Sequence, residues 1–263
     1  MDKVKGQILN TANAIHVGAS QVADAYGIIG SKMPELLQSP KALDDIARAA
    51  STLGKAGLMD LTTSIESLTG IMNQMGAQAS EAESYINVLA AGSKNGAGNI
   101  QYLSEAFTKA GGAISTAGLS VEQGTAVIET LAKKIPDAAI AGTRLNKVLL
   151  TLATSSNNEL NPKIVGLETA LQNLKKMSGN TAEMVKMFGT ANYSAAMILA
   201  EEAEQVIYLT DAVSGTNEAE KQADINTQNL SGRVAALKAS WENLTSAFSE
   251  SVGVLSTLVG WLD

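Results

Sequence analysis

No cysteine occurs in this chain, which removes disulfides, thiolate nucleophiles and zinc–sulfur centres together. The single histidine, His16, has neither a second histidine nor a cysteine to share a metal with. It reads as a surface or helix-end imidazole. Proline occurs only four times and long strand-like alternations are missing, so the chain is helical nearly throughout, with its breaks set by Gly, Ser and Asn. Aromatic residues make up 4% and charged residues 17%, against roughly 25% charged in an average globular chain. The core must therefore come from Ala, Leu, Ile, Val and Met. Such small side chains predict many close, thin helix–helix contacts in place of one aromatic nucleus.

Positive charge is scarce and scattered. The net charge is −7, and the densest basic pairs are Lys133-Lys134 and Lys175-Lys176, which read as solvated helix ends. A nucleic-acid groove is excluded by the absence of clustered cations. Long apolar runs are also missing. The stretch from Val252 to Leu262 is interrupted by Gly and Ser and falls short of the ~20 residues that a membrane span needs. The opening Met1-Asp2-Lys3-Val4-Lys5-Gly6 leads into a mixed polar segment and does not resemble a signal peptide. The chain stops at Gly260-Trp261-Leu262-Asp263 without a capping signal, as a segment of a longer protein would.

What is present is a succession of amphipathic segments, and 263 residues suffice for one large or two smaller domains. Helices are expected from about Val4 to Val17 and from Ser20 to Gly30. Ser39-Pro40 then sets a cap residue before a first-turn proline and opens a helix through Leu43, Ile46, Ala47 and Ala50, closed by Gly54 and Gly57. Leu61, Ile65, Leu68, Met72 and Met75 form one stripe that ends at Gly76. Ser80 with Glu83, Ser120 with Gln123, and Asn180 with Glu183 have the spacing of helix-opening caps. Between them, Gly92 to Gly98 is the one place where a phosphate-cradling loop could be sought. It lacks the Gly-x4-Gly-Lys-Ser/Thr order and a preceding strand, so it reads as a plain turn.

The segment from Ala141 to Leu152 organises the middle of the chain, with Ala141, Leu145, Val148, Leu149 and Leu152 on one face. Here Gly142 permits a close helix approach, and Thr143 is expected to bond a nearby backbone carbonyl. Phe188, followed by Gly189, is expected to anchor an aromatic-poor core. An echo of Ala56-Gly57-Leu58 with Ile65-Glu66-Ser67-Leu68 in Ala117-Gly118-Leu119 with Ile128-Glu129-Thr130-Leu131 suggests two similar layers, 20–113 and 114–190.

Beyond Tyr193 the rhythm changes. Tyr193, Ala196, Ala200, Ala203, Ile207 and Thr210 step by threes and fours, which predicts one long helix. The same spacing runs through Leu230, Val234, Leu237, Trp241, Leu244, Phe248, Ser251, Leu255, Leu258 and Leu262. Either this last helix packs on its own bundle, or it begins a rod that pairs with another chain. The expected organisation is all-α: a helical lead-in over 1–19, a compact core of short Gly-broken helices over 20–190, and long heptad-like helices over 191–263.

Catalytic constellations are not evident. Glu66-Ser67, Glu83-Ser84 and Gly57-Leu58-Met59 resemble fragments of lytic transglycosylases, but the order is reversed and the expected Gln and Pro neighbours are missing. No carboxylate set has calcium-loop spacing. The sequence predicts no enzyme, no cofactor and no metal site.

Taken in order, Gly118-Leu119-Ser120-Val121-Glu122, Ile128-Glu129-Thr130-Leu131, Ala141-Gly142-Thr143-Arg144-Leu145 and Met187-Phe188-Gly189 with Ala195-Ala196 resemble the core region of phage tail tape measure proteins, from about Ser20 to about Gly253. The Gly57-Leu58 helix pair and Ile71-Met72-Asn73-Gln74-Met75-Gly76 resemble it too. The chain departs from the family in having Ile135-Pro136-Asp137 where a Gly-containing turn is usual. The resemblance implies a structural virion protein in the lumen of a growing tail tube, assembled in the host cytoplasm, that sets tube length and leaves ahead of the genome. It also implies self-association and tail tube and assembly proteins as partners. The alternative class is a bacterial helical scaffold or secretion-associated coiled-coil protein.

Overall fold

The computed structural model describes residues 2–228, 234 and 237–245. Fourteen α-helices, joined by short turns and three 3₁₀ segments, make up residues 2–228, and no strand occurs among the described residues. The helices are α1 (Asp2–Ile15), α2 (Ala19–Lys32), α3 (Pro40–Gly57), α4 (Leu61–Met75), α5 (Ala82–Asn95), α6 (Ile100–Thr116) and α7 (Val121–Ala132). There follow α8 (Ala138–Ala153), α9 (Pro162–Val165), α10 (Leu167–Met177), α11 (Thr181–Phe188), α12 (Tyr193–Glu201), α13 (Ala203–Val213) and α14 (Glu218–Thr227). Residues 237–245 are again helical.

The helices start where side-chain oxygens satisfy the orphan N–H groups of the first turn. Ser39 accepts from Ala42 N–H at 3.3 Å, Asp60 from Thr63 at 2.9 Å and Asn99 from Tyr102 at 2.7 Å. Ser120 and Gln123 close a reciprocal box, and Asn180 accepts from the Glu183 N–H. The Ser80–Glu83 box does not form. Residues 79–81 make a 3₁₀ turn, and it is Glu81 that accepts from the Gln78 N–H, at 2.7 Å. Gly76 ends α4 with φ 72°, a left-handed conformation that costs glycine little. Gly54 and Gly57 instead lie inside α3, which is ended by Leu58 at φ 54°.

At the centre lie α5 and α7. From Gly124 to Leu131 every residue of α7 is buried, and α5 is buried from Tyr85 to Gly92. Around them pack α3 and α4, then α6 with α8, then α12, α13 and α14. One buried apolar cluster runs from Ala12 to Ala223 and is dominated by Ala, Leu, Ile and Val. Small residues bring the helices close. The most extensive pair is α6 with α8, and a Cβ at Gly142 would stand 2.5 Å from the Ala106 carbonyl oxygen and 2.9 Å from its Cα. The α8 axis can lie this near α6 only because that Cβ is missing.

The helix expected from Tyr193 through Thr210 breaks at Glu202, giving pieces of 9 and 11 residues, and the 10-residue α14 follows a separate turn. The cause is a shift of the buried stripe. Ala196, Ala200 and Ala203 face inward as expected, but past the break it is Val206, Leu209 and Val213 that are buried, not Ile207 and Thr210. Re-aiming α13 in this way seats its apolar side chains against α7 and α5.

Candidate functional site

The last described helical segment presents an apolar stripe on its exposed face. Residues 237–245 lie against the turn between α1 and α2 through their small and polar face. The Asn243 Oδ1 accepts from the Ala19 N–H at 3.1 Å, and its Nδ2 donates to the Val17 carbonyl at 3.1 Å. Ala239, one turn earlier on the same face, is buried. The opposite face carries the heptad residues. Val234 is 58% exposed, Leu237 73%, Trp241 66% and Leu244 52%. Apolar side chains at this spacing ordinarily turn inward; here the helix docks by its other side and leaves them to solvent. Leu230 and Phe248, with Ser251, Leu255, Leu258 and Leu262, lie outside the described residues.

Of the remaining residues singled out in the sequence, Gly142 meets α6 as expected, Leu145 is fully buried and Phe188 is 2% exposed. Gly189 ends α11 with φ 78°. Thr143 departs from expectation: it is exposed and off the α6 contact. Asn146, one turn along, makes the bond instead, donating to the Lys109 carbonyl at 2.8 Å. Glu66 and Glu83 are exposed on α4 and α5, and His16 is exposed at the end of α1 with φ 59°.

A buried acid escaped the sequence reading. Glu129 is 0% exposed in the middle of α7. Its Oε2 accepts the N–H of Ala97 at 2.7 Å and of Gly98 at 2.6 Å, whereas Oε1 is buried without a hydrogen-bond partner. Where a plain turn over Gly92 to Gly98 was expected, Gly92 to Asn95 continue α5, and the Ala97 and Gly98 N–H groups that follow hold a carboxyl of the chain itself. Gly92, Gly96 and Gly98 all face this side chain, and a Cβ on Gly96 would overlap the carboxylate. Burial pushes the Glu129 carboxyl up from 4.5 to about 7, against the two N–H bonds that favour its ionised form. Nearby, Tyr102 donates to the Ile135 carbonyl at 2.6 Å. Burial first, then the Glu129 and Asp137 charges, push its phenol up to about 12. A glutamate flanked by Val127, Ile128 and Leu131, with a glycine-rich loop upstream, was the available signal.

A second buried polar cluster ties α1, α2 and α3 together. The Thr11 hydroxyl donates to Asp44 and lies 2.9 Å from the Tyr26 hydroxyl, and Arg48 Nε donates to both Asp44 oxygens at 2.9 Å. Thr11 is fully buried, so this network fixes helix register and offers nothing to a substrate. A cleft of about 370 Å³ opens between α3, α5 and α14, and its Lys41 and Arg48 are already paired with Asp45 and Asp44. Among the described residues no group of three or more His, Asp or Glu could hold a metal ion, and no helix is long and apolar enough to cross a membrane.

A family model described as phage-related minor tail protein matches residues 5–260. No curated protein and no solved structure matches the chain.

Proposed function

Since the chain belongs to the phage-related minor tail protein family, we propose that it is a tape measure protein, or a segment of one, which lies in the tail lumen and helps set tube length. Family membership makes it a structural component of phage tails. The finer role is supported by the motif order from Gly118-Leu119 through Ala141-Gly142-Thr143 to Phe188-Gly189, and by the outward-facing stripe of Val234, Leu237, Trp241 and Leu244. That stripe is the observation that carries the reading. A heptad face left free by its own bundle is an assembly seam for a second copy or for a tail component. The folded body, whose buried cluster runs from Ala12 to Ala223, then serves as a head from which the heptad segment leaves. The reading assigns the chain no catalytic step, and a zymogram on peptidoglycan should show no clearing. Tail length is the direct test. An in-frame duplication of heptads within the phage gene should lengthen assembled tails in proportion, as seen by electron microscopy. Tails of unchanged length would leave a tail component that is not the ruler.

A further inference from the structure

The helix α14 is attached to the body in a manner unlike any helix before it. Its buried residues are Glu218, Ala219 and Ala223, and its one large apolar side chain, Ile225, is 69% exposed. By contrast, α13 buries Val206, Leu209 and Val213. Besides the small contacts of Ala219 and Ala223, α14 is held by a row of amide side chains reaching across to backbone groups. Asn87 of α5 accepts the Ala219 N–H through Oδ1 at 3.0 Å, and Gln222 donates to the Ala90 carbonyl at 2.9 Å. Asn226 donates to the Lys55 and Ala56 carbonyls at 2.9 and 3.1 Å, covering the C-terminal end of α3. One ion pair, Lys94 with Glu218 at 2.9 Å, is added at the other end. The turn before α14 is Ser214-Gly215-Thr216-Asn217, with Gly215 at φ 65°.

Hydrogen bonds exchange readily for bonds to water and contribute little net stability each, whereas buried Leu and Val do not. We infer that α14 is a releasable strap: it leaves the α3 and α5 surface as a unit, with the turn at 214–217 as hinge, while α1–α13 stay folded. Release uncovers the C-terminal carbonyls of α3 and the Asn87, Ala90 and Lys94 edge of α5. The device explains why α14 docks through alanines and amides and buries no large apolar side chain: a face of Leu and Val would have fastened it permanently. This inference concerns the body's own conformational states and does not depend on the tape measure reading.

Native-state amide hydrogen exchange on the full 263-residue chain tests it. Amides of α14 should exchange at least about a hundredfold faster than those of α7, through an opening that leaves α7 protected. Asn226→Ala, and separately Asn87→Ala, should accelerate exchange in α14 by about five- to tenfold and leave α7 unchanged. If α14 and α7 exchange together in the unaltered chain, or if either substitution accelerates both helices equally, α14 is part of one cooperative unit and the strap does not exist. If α14 opens alone yet neither substitution changes its rate, the amide row is not what holds it, and the inference fails on that ground.

Discussion

The Asn243 amide donates to the Val17 carbonyl at 3.1 Å across 226 residues of sequence. The same side chain accepts from Ala19 on the far side of the turn. The Asn243 side chain thus bridges both sides of the α1–α2 turn from the face opposite Leu237, Trp241 and Leu244, which are exposed.

Replacing Trp241 by Ala should consequently leave the stability of the monomeric body unchanged within about 0.5 kcal/mol, because the indole is 66% exposed. If the stripe is an assembly seam, the same change should lower the molar mass seen by light scattering toward that of one chain, as should a truncation ending near Asn229. Identical monomers for all three proteins would remove self-association from the proposed function.

Gly142→Ala should destabilise the fold by about 1–3 kcal/mol in urea titration, since the added methyl meets the Ala106 backbone and the Lys109 Cβ at 2.8 Å. Gly112→Ala is the control. That glycine lies within α6 with nothing inside 4 Å of an added Cβ, and alanine there should stabilise by about 0.5–1 kcal/mol through helix propensity.

Phe188→Ala is expected to cost about 3–5 kcal/mol. Only Met184 and Phe188 are buried in α11, so proteolysis near residues 181–192 should increase before the rest of the body is cut.

The Glu129 carboxyl titrates higher in the folded chain, at about 7, than its ordinary 4.5. The folded state therefore binds the extra proton between those values. Its contribution to stability is complete below pH 4.5, declines as the pH rises, and is lost above 7. The span corresponds to about 3 kcal/mol. Glu129→Gln keeps an acceptor for Ala97 and Gly98 and removes the charge, so it should be more stable than the parent at pH 8 and nearly equal at pH 4.5. Chemical denaturation at the two pH values checks this; equal pH dependence in both proteins would show that Glu129 is not the titrating group.

Helix existence was legible wherever an apolar stripe met a cap. The Leu61 to Met75 stripe, the Ser39-Pro40 start and the Asn180 start all appear as the pattern demands. The α6–α8 approach could be foreseen because Gly142 interrupts a buried face that is otherwise Ala, Leu and Val. The break at Glu202 could not: neither glycine nor proline marks it, and the helix ends there because α13 must turn Val206 and Leu209 inward. That preference is tertiary, and local spacing carries no trace of it. Glu129 was hidden for a related reason. A glutamate on a helix is solvated by default, and only the arrival of the Ala97 and Gly98 N–H groups from a loop some thirty residues upstream makes its burial tolerable.

That arrangement also sets the loop's chemistry toward the outside. A backbone concavity formed by residues 96–98 would ordinarily be open to phosphate or sulfate in solution. Here the Glu129 side chain, carried by α7 of the same chain, already accepts from both N–H groups. The loop is already filled by a carboxyl of its own chain, ionised above about pH 7, and added phosphate should leave the Ala97 and Gly98 amide resonances unmoved.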